Sequence, residues 1–237
     1  MDVTEKKALV FGGTSGIGLA TAKQLVELGA EVVSISRHTE KAGDELKGVS
    51  LQQCDVRDRK ALAELFQEHA PFDILVSTAT GGARSLGPFL EMDMDGYQAS
   101  FDKLWGYANV VRFGAQHLSE EGAIVLVSGA PARRPKAGQI SLASVGAALE
   151  AMVRAVAPEL APRRINVVSP GVIDTPMVAL EGKQRETLFK ERTSDHIIPR
   201  AGTAEEVSQG ILLQFRTILS LAQPLMWMAA GCFLNEC

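Results

Sequence analysis

Cysteine is scarce in this chain, with Cys54, Cys232 and Cys237 the only three in 237 residues. Their spacing fits neither a metal-ligand set nor a disulfide framework, so no metal site is expected and a cytoplasmic setting with reduced thiols is the default. A basic excess is missing as well. Lysine and arginine number 24 against 28 acidic residues, a net charge of −4, so nothing is left over to neutralise phosphates. Nucleic acid is therefore excluded as the main partner. The N-terminal Met1-Asp2-Val3-Thr4-Glu5-Lys6-Lys7 lacks the apolar core of a signal peptide. From Ile211 to Gly231 the chain is apolar, but Gln214, Arg216 and Gln223 interrupt it. A core helix followed by a strand is expected there, with no membrane partner. Aromatics are few, and only two are tyrosines, Tyr97 and Tyr107.

What the chain does have is a glycine-rich turn between an apolar run and a helical pattern. Ala8 to Phe11 lead into Gly12-Gly13-Thr14-Ser15-Gly16-Ile17-Gly18, and Leu19, Ala20, Ala22, Leu25, Val26 and Leu28 follow at helical spacing. Gly12 permits the turn, Gly16 lets backbone approach a bound group, and Gly18 lets the helix lie on the strand. The helix start then presents N–H groups and a positive dipole to a pyrophosphate.

Strand and helix patterns alternate from there. Strands are expected over Glu31–Arg37, Val49–Val56, Phe72–Ser77, Ala123–Ser128 and Arg164–Ser169. Helices are expected over Arg59–His69, capped by Asp58, then from about Asp95 to Leu118 and from about Ser141 to Leu160. With no linker or repeat, the expectation is a single α/β domain over 1–237, a doubly wound, mostly parallel, Rossmann-like sheet with helices on both faces. Its ligand cleft lies at the carboxyl ends of the strands. The second strand ends in Ser36-Arg37-His38 with no acid. A base there accommodates a ribose 2′-phosphate, so NADP, with NADPH preferred over NADH, is the expected cofactor. The alternative is an Arg37 that is simply solvated.

On these motifs the sequence resembles the short-chain dehydrogenase/reductase family over roughly residues 5–215. Gly12 through Gly18 fit its Gly-x-x-x-Gly-Ile-Gly, with Phe11 where threonine is usual. Asp55-Val56 is similar to the pair that holds the adenine ring. Ser169-Pro170-Gly171-Val172-Ile173-Asp174-Thr175-Pro176 is similar to the nicotinamide-side segment, which implies a carboxamide contact from the Ile173 backbone and a hydroxyl contact from Thr175. Ser77-Thr78-Ala79-Thr80 stands for the family's Asn-Asn-Ala-Gly, keeping only Ala79, and its hydroxyls are expected to replace some of the lost amide bonds.

The resemblance also implies a catalytic tyrosine, a lysine four residues later, a serine on the preceding strand and an asparagine on the long helix. Ser128 is the serine. Thirteen residues on, the tyrosine position holds Ser141, the lysine position holds Val145, and the asparagine position holds Lys103. Both tyrosines precede Ser128, so no shift of alignment restores the pair. Three readings stay open. One is an altered reductase of a carbonyl or imine-type small molecule, with Lys103 acting as cation or acid beside Ser128 and Ser141. Another is a sensor or regulatory protein that binds NADP(H) without hydride chemistry. The third uses the cofactor as a scaffold for a non-redox reaction. Against these stand bland roles: a snorkelling Lys103, a helix-capping Ser141, and packing for a Lys103/Tyr107 pair. Arg133-Arg134-Pro135-Lys136 suits either an anionic substrate group or a solvated loop. Met177 to Thr193 falls where the family carries a mobile substrate lid and reads as an exposed amphipathic helix. Leu142, Val145, Leu149, Met152 and Val153 form a stripe for the core or for a homodimer, a tetramer being less secure.

Thr203-Ala204-Glu205-Glu206 has the form of a capping box. The tail over 216–237 is atypical. Met226-Trp227-Met228-Ala229 is encoded ATG-TGG-ATG-GCN, which reads Val-Asp-Gly from its third base, and Val-Asp-Gly is how the family's last strand ends. The expectation is a tail read partly in a shifted frame.

Overall fold

Short apolar runs bounded by glycine or polar turns become the strands, and the longer amphipathic runs between them become helices. Strand β1 (Lys7–Phe11) leads into helix α1 (Gly16–Glu27) and strand β2 (Glu31–Ser36), followed by β3 (Val49–Gln53), α2 (Arg59–His69) and β4 (Phe72–Ser77). Next come α3 (Met94–Ala99), α4 (Asp102–Gly114), β5 (Leu118–Val127), α5 (Ile140–Leu160) and β6 (Arg164–Val168). Helices α6 (Gly182–Arg192) and α7 (Ala204–Arg216) and the two-residue strand β7 (Pro224–Leu225) complete the order. This computed structural model describes residues 1–40, 48–80, 84–217 and 224–225.

The strands pair in the order β3-β2-β1-β4-β5-β6-β7, every pair parallel. All carboxyl ends therefore lie along one edge. The succession of strands reverses between β1 and β4, which opens a crevice at that edge. Helices cover both faces. Phe66 of α2, Tyr107 of α4 and Leu149 of α5 pack with Leu9 and Phe11 on one side, and Leu25 of α1 and Ile211 and Phe215 of α7 pack with Val10 and Val76 on the other. Phe66 stacks between Phe11 and Phe72 at 5.5 and 5.7 Å. Burying a ring of that size contributes about 1.5–3 kcal/mol.

The doubly wound architecture, the Asp58 cap and the capping box are as expected: Asp58 accepts from the Lys60 and Ala61 N–H groups, and Thr203 and Glu206 exchange bonds at 3.2 and 2.8 Å. The core helix followed by a strand is also present, as α7 and β7. Buried Arg164 of β6 ties α7 down, donating to the carbonyls of Gln214, Phe215 and Thr217 at its carboxyl end.

One long helix over 95–118 is not formed. It breaks into α3 and α4 at Ser100, whose hydroxyl donates back to the Gly96 carbonyl at 2.9 Å and accepts the Ser85 N–H at 3.1 Å. Such back-bonding competes with the helical ladder. After α4 the chain makes a single 3-10 turn, and β5 starts at Leu118, where the helix was expected to end. The strands β2, β3 and β6 also end earlier than expected, at Ser36, Gln53 and Val168. Val145, Leu149 and Val153 are buried in the core. The shifted-frame expectation concerns 218–223 and 226–237, outside the described residues.

Candidate active site

The glycine turn sits at the centre of the carboxyl edge. Gly12 and Gly16 have φ of +79° and +51°, which side chains rarely adopt. A Cβ at Gly18 would fall on the Gly12 carbonyl, so this glycine serves the packing of α1 on its own turn. Thr78, at the end of β4, donates to the carbonyls of Phe11 and Gly12 at 3.1 and 3.4 Å. A hydroxyl thus does the bracing expected of it, and Ala79 follows with its N–H against the turn. Helix α1 is left open at its start. Ser15 occupies the N-cap with no side-chain bond and no acid lies in the first turn, whereas Asp58, Asp93 and Thr203 cap α2, α3 and α7. Buried Thr14, exposed Ser15 and half-buried Ile17 border these N–H groups. An anion fits there.

Neighbouring strand ends bring the other candidates alongside. The Gly12 N–H donates to Ile35 at 2.8 Å, and the Cys54 N–H donates to Ser36 at 3.1 Å. Exposed Arg37 projects from the end of β2, where Gln53 holds its carbonyl at 3.0 Å. Asp55 stands next, its carboxyl engaged by the backbone N–H and guanidinium of Arg57. Partial burial raises its pKa, but the Arg57 bonds and the charges of Arg57 and Arg37 outweigh that and hold it below the usual range. The Val56 carbonyl is taken by Asn109 at 3.1 Å. Across the crevice, Pro170 accepts the Ala130 N–H at 2.8 Å, Gly171 is open, and Ile173 bridges to Gly202. Thr175 lies over Gly16, 3.5 Å from where a Cβ would be. The glycine turn and the 170–175 segment thus face one another.

Lys103, of α4, reaches into the same edge. Its ammonium donates to the Ser128 carbonyl at 3.3 Å and lies 5.5 Å from the Tyr107 ring centre. The residue as a whole is half-buried, and its charged end is turned to the Ser128 carbonyl and the Tyr107 ring. Burial, with Arg84 nearby, pushes its pKa down to about 7. Buried Ser128 turns its hydroxyl to the Gly146 carbonyl at 3.3 Å, a long bond. Tyr107 is fully buried and donates to the Val127 carbonyl at 3.1 Å, and burial pushes its pKa up. It is a packing tyrosine and no acid near neutral pH.

Ser141 is not a helix cap: Gln139 holds that position, and buried Ser141 lies inside the first turn, donating to the Ser85 carbonyl. Its hydroxyl locks the loop after β4 to α5. The described contacts therefore join Lys103 to Ser128 and Ser141 to Ser85. Val145 is buried and apolar.

The 133–136 loop is largely solvated, with Arg133, Pro135 and Lys136 exposed, and two of its cations meet carboxylates. Arg133 pairs with buried Glu150 at 2.9 Å, and Lys136 pairs with Asp195 at 2.9 Å. The helix after Pro176 is exposed on most positions, as expected, but Arg185 fastens its start. It pairs with Asp174 and donates to the carbonyls of Thr175 and Leu180 at 2.8 and 3.0 Å. Two residues escaped the sequence reading. Glu150 is a carboxylate beside Leu149 on an apolar helix face, a signal of a buried partner, and it holds both Arg133 and Ser169. Arg84, a lone cation in the loop after β4, bears on Lys103.

The profile of the family described as Enoyl-(Acyl carrier protein) reductase matches residues 12–215. L-xylulose reductase of Mus musculus is 33% identical over 181 residues, 73% of each chain. A cyclic-di-GMP-binding biofilm dispersal mediator protein of Escherichia coli K12 is 31% identical over 212 residues, 86% of this chain and 87% of that one. The crystal structure of a small-chain dehydrogenase in complex with NADPH superposes with a TM-score of 0.81 at 26% identity, covering 96% of this chain and 98% of the other. Matched across this span, with its motifs ordered along one carboxyl edge, the chain belongs to the short-chain dehydrogenase/reductase family.

Proposed function

We propose that this protein is an NADP(H)-dependent oxidoreductase that reduces a carbonyl or imine-type small molecule at a rebuilt active site. Ser141 and Val145 stand where the family resemblance implies a tyrosine and a lysine, and Lys103 takes over the proton. The observation that carries this reading is the Lys103 ammonium, 3.3 Å from the Ser128 carbonyl with a pKa of about 7. An acid of that pKa is half protonated at neutral pH and matched to general acid catalysis.

The open start of α1 and the turn around Gly12, Gly16 and Gly18 fit a pyrophosphate. Arg37, with no acid beside it in Ser36-Arg37-His38, fits a 2′-phosphate, and Asp55 with Val56 borders the adenine place. Pro170 to Thr175 fit the nicotinamide end. Bound there, NADPH supplies a hydride to an electrophilic carbon. Lys103 holds a proton for the oxygen or nitrogen that gains charge, and its positive charge stabilises an oxyanion before transfer. Ser128 exchanges its long bond to Gly146 for one to the substrate. A homodimer through α4 and α5 accords with Trp105, 59% exposed on α4.

A second reading, cofactor binding without turnover, is favoured by the likeness to the Escherichia coli protein whose name assigns it cyclic-di-GMP binding. Titration with NADPH and NADH, followed by an NADPH-oxidation screen over ketones, 2-oxo acids and cyclic imines, separates the two. The reductase reading expects tighter NADPH than NADH binding, lost in Arg37→Ala, and turnover weighted away from simple ketones. Binding with no turnover of any class would establish the second reading.

A further inference from the structure

Among the described residues Glu150 is the one buried acid, 4% exposed. A carboxylate taken out of water costs stability unless its oxygens are hydrogen-bonded, so its partners matter. Glu150 lies on α5 four residues after Gly146, on the same helix face. Gly146 lets α5 approach the loop after β5 closely. A Cβ there would fall 2.9 Å from the Ala132 Cβ and 3.0 Å from the Ser128 Oγ. From this position Glu150 reaches two segments at once. Its Oε2 accepts from Arg133 Nε at 2.9 Å, and its Oε1 accepts from the fully buried Ser169 hydroxyl at 2.8 Å. Arg133 closes the single turn over 130–132, and Ser169 immediately precedes Pro170. Backbone bonds join the same two segments along their edges. The Ser128 N–H donates to the Val168 carbonyl at 2.9 Å, and the Ala130 N–H donates to the Pro170 carbonyl at 2.8 Å.

We propose that Glu150 is a positioning residue that clamps the Ser128–Arg133 loop to the segment Ser169-Pro170-Gly171, and so sets where the nicotinamide end of NADP(H) lies relative to Ser128. Buried as it is, Glu150 acts through Arg133 and Ser169 and not by touching the cofactor. A carboxylate suits the task because both of its oxygens accept and neither donates. A glutamine of the same length has one acceptor oxygen and can keep only one of the two arms. Neither bond of Glu150 reaches the adenosine end of the cleft, at Arg37 and Asp55. Its influence therefore falls on the nicotinamide half alone. This assignment rests on the placement of the nicotinamide end at Pro170 to Thr175, and it needs no hydride transfer.

Calorimetric titration of the full chain with NADPH, and with adenosine 2′,5′-bisphosphate, which lacks the nicotinamide half, tests the clamp. Glu150→Gln breaks one arm at unchanged volume, and Ser169→Ala breaks the other without altering α5. Each is expected to weaken NADPH binding about fivefold or more, while the bisphosphate changes by less than about twofold. Where Glu150→Gln does not fold, Ser169→Ala alone decides. Equal losses for the two ligands would make Glu150 a general stabiliser of the fold, and no loss for either would leave the backbone bonds sufficient. Either result overturns the clamp. Wild type that binds NADPH no more tightly than the bisphosphate overturns it as well, together with the placement of the nicotinamide end. NADPH oxidation is scored separately. The split in affinity without turnover of any substrate keeps the clamp and overturns the reductase reading, whereas turnover without the split does the reverse.

Discussion

Lys103 carries a charge where the protein interior disfavours one, and that has a cost in stability. Its pKa is lowered from 10.5 to about 7 in the fold. Between those values the unfolded chain binds a proton that the folded chain does not, so stability rises with pH across the window. Below pH 7 the penalty is fully present. Lys103→Met should therefore be more stable than wild type at pH 7, by roughly 1–3 kcal/mol, because an apolar side chain replaces a buried charge. The advantage should shrink towards pH 10, and urea midpoints at the two pH values measure it. A variant destabilised at pH 7 would show the ammonium to be well solvated. Tyr107 offers the contrasting case. Its phenol donates to the Val127 carbonyl, so Tyr107→Phe should lose about 1 kcal/mol and little turnover. A large loss of activity at unchanged stability would instead make Tyr107 part of the chemistry.

At the scale of elements, the glycine turn shows that three glycines of one motif answer to different constraints. Gly18 has no room for a Cβ, because the Gly12 carbonyl occupies the place, while Gly16 has room but a φ of +51°. Gly18→Ala should force α1 off its turn and cost about 1–3 kcal/mol together with NADPH binding. Gly16→Ala should cost about 1 kcal/mol for its backbone alone. Thermal melts with and without NADPH distinguish them, and equal effects from both would contradict this account of the turn. The α3–α4 break makes a related point. Periodicity over 95–118 reads as one helix, and what interrupts it is a hydroxyl that meets Ser85, fifteen residues earlier in the chain. A contact of that kind has no periodic signature. Caps are the opposite case, since Asp58 and the Thr203/Glu206 box act within three residues and were legible as letters.

For the whole molecule, the sheet and its crevice follow from alternation of short apolar runs with amphipathic helices, so the architecture and the location of the site could be read from sequence. The glycine turn was legible for a similar reason: Gly12, Gly16 and Gly18 are required there by local geometry. The chemistry was less so. That Lys103 points inward depends on α4 lying beside the end of β5, where its ammonium meets the Ser128 carbonyl. The ion pairs of the 133–136 cations were not legible, because their partners, Glu150 and Asp195, are distant in sequence and close in space. The central claim is that Lys103 supplies the proton in a hydride-transfer reaction, and the pH dependence of kcat/KM for NADPH oxidation tests it most directly, using the best substrate of the screen. Wild type should lose activity as pH rises through about 7, where the acid deprotonates, and Lys103→Met should fall by about a hundredfold or more and lose that inflection. An unchanged rate and the same inflection in Lys103→Met would contradict the account.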